Sequence, residues 1–223
     1  MENWTKKIKY ISFDLDDTLA SENYDKTIWN KEIPKLYAKK HKISLEEAKT
    51  KVYAEYYKTL YIEKITNWTS ISYWFKRLNL GNWKELLEDM KKNIFIFDDT
   101  IETLDYLSKK YKIIIISGSE KGYLNTKIKT KFINKYIKKA YSIPTDFGIP
   151  KKNKTIFKKI LKDLNISEEE IIHIGDNFYL DYNLPRELGI RTFLIDRTKK
   201  EKGENILHSL TELKDILKKN KNV

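Results

Sequence analysis

Cysteine is absent from the 223 residues, which excludes a disulfide framework and thiolate chemistry. Glycine (7) and proline (4) are scarce. Beyond a lysine bias there is no low-complexity segment, and no internal repeat is found. No apolar run approaches the ~18 residues of a membrane span. The N-terminus lacks the pattern of a signal peptide. The expectation is a soluble, cytoplasmic protein, a monomer or weak dimer, with no membrane partner.

What is abundant is lysine. The net charge is +12, and residues 109–163 hold 16 lysines against 3 acidic residues. Everything outside that block is close to neutral. Most of these lysines fall at helical spacing among apolar residues, which reads as solvated helix faces. A block this basic can attract a polyanion, but nucleic acid is not expected as a partner. Hydrophobic residues make up 40% of the chain, enough for a sizeable core in one domain or in a core with an insertion.

An apolar run from Ile8 ends in Asp14-Leu15-Asp16-Asp17-Thr18. Such a run predicts a buried strand at about 8–13. Residues two apart in an extended chain point the same way, so Asp14 and Asp16 can face one site while Asp17 points elsewhere. Like charges so close are costly unless a cation or proton relieves them. Two further apolar runs end in chemistry of the same kind. Ile113-Ile114-Ile115-Ile116 leads into Ser117-Gly118, and Ile171-Ile172-His173-Ile174 leads into Gly175-Asp176, with Asp181 five residues on. Gly148-Ile149-Pro150-Lys151 places a lysine ahead of a helix marked by Ile156, Ile160, Leu161 and Leu164.

Between the first two strands the pattern is helical. Trp29, Ile33, Leu36 and Tyr37 share one helix face, with Pro34 marking a kink. Ser44 to Glu47 reads as a capping box. Two more helices are predicted over Trp68 to Leu78 and from Asn82 to near Asn93, and no strand is evident between about 20 and 94. The alternation then returns. Asp99 is placed to cap a helix through about Lys110, strands are predicted at 112–116, Ala140–Ile143, 171–174 and Thr192–Ile195, and Ser209 to Glu212 caps a closing helix. Strands alternating with helices predict an α/β fold with a parallel sheet covered on both faces. In such a sheet, sites form beyond the carboxyl ends of the strands, where Asp14, Ser117 and Asp176 all stand.

The order of these motifs, a carboxylate pair, a hydroxyl, a lysine and a second carboxylate pair, resembles the haloacid dehalogenase (HAD) superfamily, and the resemblance spans residues 8 to about 217. The resemblance implies a Rossmann-like three-layer core (1–19 and 95–223). The segment 20–94 looks like the helical cap of subfamily I. It implies a Mg²⁺-dependent phosphatase acting on a small phosphorylated metabolite. Asp14 would be the nucleophile and Asp16 the general acid and base. Ser117, Gly118 and Lys151 would hold the phosphate. Asp14, Asp176 and the Asp16 carbonyl would bind Mg²⁺. Asp181 would support the metal shell or orient Lys151, and Thr18 would fix the turn after the first strand. Lys151 is chosen for its spacing to Ile156-Phe157; Lys152 then stands where the family usually has proline. The family's dehalogenases lack the second aspartate, so Asp16 argues for phosphate-ester cleavage. A phosphomutase shares the same motifs, and a polyanion- or RNA-binding protein using block 109–163 is the rival of a different class. His173, inside an apolar strand, reads as a satisfied core histidine.

Overall fold

The computed structural model describes residues 4–219. Its centre is a six-stranded, all-parallel sheet in the order β3-β2-β1-β4-β5-β6. The strands are β1 (Tyr10–Phe13), β2 (Lys112–Ser117), β3 (Ile137–Ser142), β4 (Ile171–Gly175), β5 (Arg191–Ile195) and β6 (Ile206–Leu207). The chain builds outward from β1 to β3, then returns to lay β4 on the other side of β1. The switch point therefore lies between β1 and β4, whose carboxyl ends carry Asp14 and Asp176.

Side chains alternate across the sheet, and both faces are covered. Ile11, Phe13, Ile113, Ile115, Ile172 and Ile174 face α6 (Asp98–Ser108) and α11 (Leu210–Lys219) in one apolar cluster. Tyr10, Ile114, Ile116 and Ile171 face α9 (Lys154–Leu164) in a second. Ser12 and His173, register partners on β1 and β4, are polar positions fully buried in mid-sheet. The short strand β6 was not foreseen, and β3 begins three residues earlier than the sequence predicts.

Among the described residues between β1 and β2, only the isolated bridges Asp16–Ala20 and Ala20–Ile96 have strand character; the regular elements are helices joined by turns. The helices are α1 (Asn23–Thr27), α2 (Ile33–His41), α3 (Leu45–Tyr57), α4 (Ile71–Arg77) and α5 (Trp83–Met90). A π-helical turn at Ile28–Glu32 joins α1 to α2. It absorbs Pro34, which sits in the first turn of α2, where a missing N–H is tolerated. Ser44, Ser70 and Asn82 cap α3, α4 and α5 through their side-chain oxygens. The helices share one continuous apolar cluster with the sheet through Tyr24, Ile28, Trp74 and Leu87.

Asp99 does not cap α6, as the sequence suggests, but lies inside its first turn. Its carboxylate accepts bonds from Arg197, from Ser209 Oγ at 3.0 Å and from the Leu210 N–H at 2.8 Å. It ties the start of α11 to α6. The remaining helices of the core are α7 (Lys121–Lys129), α8 (Ile143–Phe147) and the short α10 (Leu184–Arg186).

Candidate active site

Asp14 follows β1 directly. Its N–H donates to Ile174 O at 2.8 Å, which keeps the chain extended one residue past the strand. The side chain is buried. The ammonium of Lys152 lies 2.5 Å from Asp14 Oδ1 and 2.5 Å from Asp181 Oδ1. Lys152 is also buried, whereas Lys151 is exposed. The structure therefore corrects the sequence reading: Lys152, not Lys151, pairs with Asp14. The turn ahead of α9 decides which neighbour faces inward. Asn153 caps that helix, accepting from the Ile156 N–H at 3.0 Å, and swings the preceding residue toward the sheet. A capping asparagine directly after Lys152 was the available signal.

Asp181 sits on a π-helical turn, Phe178–Asn183, beyond β4. Its Oδ2 accepts from the Asn177 N–H at 3.2 Å. His173 Nε2 lies 3.1 Å from its Oδ1, and His173 Nδ1 lies 2.8 Å from Ser12 Oγ. Burial lowers the pKa of His173, so the ring is neutral. A neutral ring beside a carboxylate places its proton on Nε2, donating to Asp181, and Nδ1 accepts from Ser12. The histidine is a satisfied core residue, as its sequence context suggests, and it also orients Asp181. Gly175 makes this packing possible, because a Cβ there would lie 2.4 Å from Asp181 Cγ.

The electrostatics ask for a cation. Burial pushes the Asp14 carboxyl well up, Lys152 opposes this, and Asp181, Asp176 and Asp16 add to it. Burial and the charge of Asp181 raise Asp176 to about 7. Burial would also raise Asp181, but Lys152 and His173 outweigh it and hold it at about 2. One oxygen each from Asp14, Asp176 and Asp181 lies within 4.8 Å of the others. Hard carboxylate oxygens with more negative charge than Lys152 neutralises fit a divalent cation such as Mg²⁺.

Ser117 ends β2, buried, and its Oγ accepts from the Ser119 N–H at 3.0 Å. Gly118 is exposed beside it. Asp17 takes a left-handed conformation (φ 49°), and its Oδ1 receives the Glu22 N–H at 2.9 Å. Thr18 is buried in this turn. Its carbonyl accepts from Arg197 at 2.5 Å, while its hydroxyl makes no hydrogen bond.

A second ionic cluster was not anticipated. Asp16 accepts from Ser119 Oγ at 2.6 Å through Oδ2 and from Lys127 through Oδ1. Lys127 is fully buried and also contacts Asp25 Oδ2 of α1 at 2.6 Å. One lysine from α7 thus ties the second aspartate of the β1 motif to the helical segment. Burial, then the charge of Asp16, raise Asp25 to about 7 against the pull of Lys127. The periodicity held a signal: Lys127 lies on the same face of its helix as buried Tyr123 and Leu124.

A haloacid dehalogenase-like hydrolase family model matches residues 8–189. The protein is a HAD-like hydrolase. The GMP/IMP nucleotidase YrfG of Escherichia coli K12 is 22% identical over 168 residues, 75% of this chain and 73% of that protein. A HAD phosphatase from Thermococcus onnurineus superposes with a TM-score of 0.77 at 24% identity, covering 94% of this chain and 98% of that one. A 2-haloacid dehalogenase from Pseudomonas syringae pv. tomato DC3000 superposes with a TM-score of 0.71 at 19% identity, covering 95% and 99%. At these identities the two structures establish the common HAD architecture of parallel sheet and surrounding helices. They do not separate the phosphatase from the dehalogenase.

Proposed function

We propose that this HAD-like hydrolase cleaves a small phosphomonoester through a phosphoryl group carried on Asp14. The observation that carries the reading is the placement of Asp14 and Asp16. Asp14 lies at the switch point against Lys152, with the acidic oxygens of Asp176 and Asp181 beside it. Asp16 is two residues on, a carboxylic group where a phosphate ester needs one and a halide leaving group does not. A relative described as a nucleotidase supports phosphate-ester chemistry.

In the first step an Asp14 carboxylate oxygen attacks phosphorus, and the bond to the ester oxygen breaks. Asp16 gives its proton to the leaving alkoxide. In the second step Asp16 takes a proton from water, the resulting hydroxide attacks phosphorus, and the Asp14–phosphorus bond breaks. Inorganic phosphate leaves, and both carboxyl groups return to their starting states.

Lys152 neutralises part of the negative charge that phosphate brings, and Ser117 and Gly118 stand at the adjoining strand end to meet its oxygens. Asp181, fixed by His173, aims Lys152. Asp14, Asp176 and the Asp16 carbonyl would hold Mg²⁺, which supplies further charge neutralisation when bound. The helices of residues 20–94 act as a cap over this end of the sheet, and residues 1–19 and 95–223 as the catalytic core.

The test is a panel of phosphomonoesters assayed with Mg²⁺ and with EDTA. Release of phosphate from at least one ester, dependent on Mg²⁺, is expected. No phosphate release from any of them, or equal release in EDTA, contradicts the reading.

A further inference from the structure

The leaving-group side of Asp16 opens into a chamber of about 210 Å³. Asp16, Gly118 and Ser119 form one end, and Trp29, Trp68 and Tyr123 line its apolar walls. It adjoins a second cavity of about 200 Å³, also bounded by Trp29 and Trp68, that continues toward Tyr56, Leu60 and Trp74. The walls are held in place. Trp29 lies 5.9 Å from Tyr123 and 6.0 Å from Tyr56, ring centre to ring centre. Trp74 Nε1 donates to the Trp68 carbonyl at 2.6 Å.

Four residues around this chamber carry a buried side-chain oxygen that no group of the protein satisfies. They are Asp25 Oδ1, Thr69 Oγ1, Glu120 Oε2 and the Tyr123 hydroxyl, and all four residues line the chamber. Tyr123 itself is only 2% exposed. Buried polar atoms are rarely left without partners, and each one is costly. Four of them around a single chamber mark a place built for polar contact. Two belong to acidic groups, whose ionised form only accepts, so a donor is the partner that suits it.

We propose that this chamber binds the alcohol part of the substrate and selects a flat heteroaromatic ring with N–H donors on its edge, so that the substrate is a nucleoside monophosphate. The inference rests on the phosphatase reading above. The ring stacks against Trp29 and Trp68, with Tyr123 packed behind Trp29, and its donors meet Glu120 and Asp25. Thr69 and Tyr123 hydroxyls take either sense of bond. A sugar ring also offers donors and an apolar face. It has hydroxyls on every edge, however, and the adjoining cavity sets one amide, Asn30, against Trp29, Tyr56, Leu60, Trp68 and Trp74, so most of those hydroxyls would meet apolar surface. The extended aromatic lining favours the flat ring.

The experiment compares kcat/KM for guanosine 5′-monophosphate, ribose 5-phosphate and glucose 6-phosphate on the full-length protein with Mg²⁺. The ring-bearing ester is expected to exceed both sugar phosphates by at least about tenfold, the scale of one hydrogen bond to a charged group. Glu120→Gln removes the charge and exchanges one of two acceptor oxygens for an NH2 donor, and Trp68→Ala removes a stacking wall. Each is expected to shrink the ratio of guanosine 5′-monophosphate to ribose 5-phosphate by about tenfold or more. Comparable rates on the three esters in wild type overturn the proposal, whatever the variants do. So does a ratio that neither variant moves while circular dichroism stays native. If no ester is hydrolysed, the phosphatase reading fails by itself. The chamber is then decided by calorimetric titration of guanosine: saturable binding that Trp68→Ala weakens upholds it, and no binding refutes it.

Discussion

Lys152 holds two carboxylates on one ammonium in a place where all three groups are buried. Removing such a cation leaves uncompensated negative charge at the point where the proposed reaction seats a phosphate dianion. Lys152→Ala is therefore expected to lower kcat/KM by about a hundredfold or more, the scale of losing one preorganised electrostatic contact. Lys151→Ala, on an exposed side chain, is expected to stay within about threefold of wild type, as surface changes usually do. Steady-state kinetics on the pair decides it, and the reverse ranking would restore Lys151. The sequence places a lysine just ahead of α9, but two lysines stand there in succession, and only the turn set by Asn153 separates them. Asp14, Asp16, Ser117 and Asp176 were legible because each follows an apolar run, and a run of β length ends where a parallel sheet opens to solvent. Lys127 was not, because a lysine in a lysine-rich helix reads as solvated. Asp99 shows a second limit. Burial would raise its carboxyl, but Arg197, the Leu210 N–H and Ser209 outweigh this and hold it below its ordinary value. A depressed carboxyl stabilises the fold fully above its unfolded value near ~4 and loses that contribution as pH falls through the folded value. Asp99→Asn is expected to cost about 1–3 kcal/mol near neutral pH, as charge-assisted bonds are lost. The difference from wild type should shrink as pH falls from neutral to well below ~4, through the native carboxyl's lowered value. Urea unfolding at the two pH values measures this; a difference that persists at the lower pH would show that shape, not charge, is at stake.

Among the elements, α7 and α1 are coupled through charge. Lys127 of α7 sits between Asp16 and Asp25 with no exposure, and its ammonium also lies 5.8 Å from the Tyr24 ring. Breaking a buried ion pair by removing one partner costs about 3–5 kcal/mol, because the other charge is left alone. Lys127→Met should be destabilised by that order in urea unfolding. Adding Asp25→Asn should recover part of the loss, because the amide carries no charge to strand. A double variant no more stable than the single one would mean that Asp25 and Lys127 are not coupled. The helices of 23–90 were legible in outline from capping residues and periodicity. The π turn around Pro34 was not, because it arises from fitting a proline into a continuous helix. Nor was β6, whose two residues are too few to show a period.

At the scale of the molecule, charge and fold divide the lysines. Residues 109–163 carry most of the net positive charge, yet two of their lysines, Lys127 and Lys152, are buried in ion pairs at the candidate site. The parallel sheet was readable from the alternation of apolar runs and helical periods. Its continuity with the helical segment was less so, since a single apolar cluster runs from β1 to Trp74 and Leu87. That shared core sets Asp25, Trp29 and Trp68 around one cavity with Asp16, Gly118 and Ser119, which follow the first two strands. The central claim is that Asp14 carries the phosphoryl group, and kcat for Asp14→Asn tests it most directly. The amide fills the same space but cannot attack phosphorus. Circular dichroism is expected to stay native while turnover of a phosphomonoester with Mg²⁺ falls by at least about a thousandfold, or ~4 kcal/mol of barrier. A natively folded Asp14→Asn protein that keeps more than about a thousandth of the wild-type rate would contradict the account.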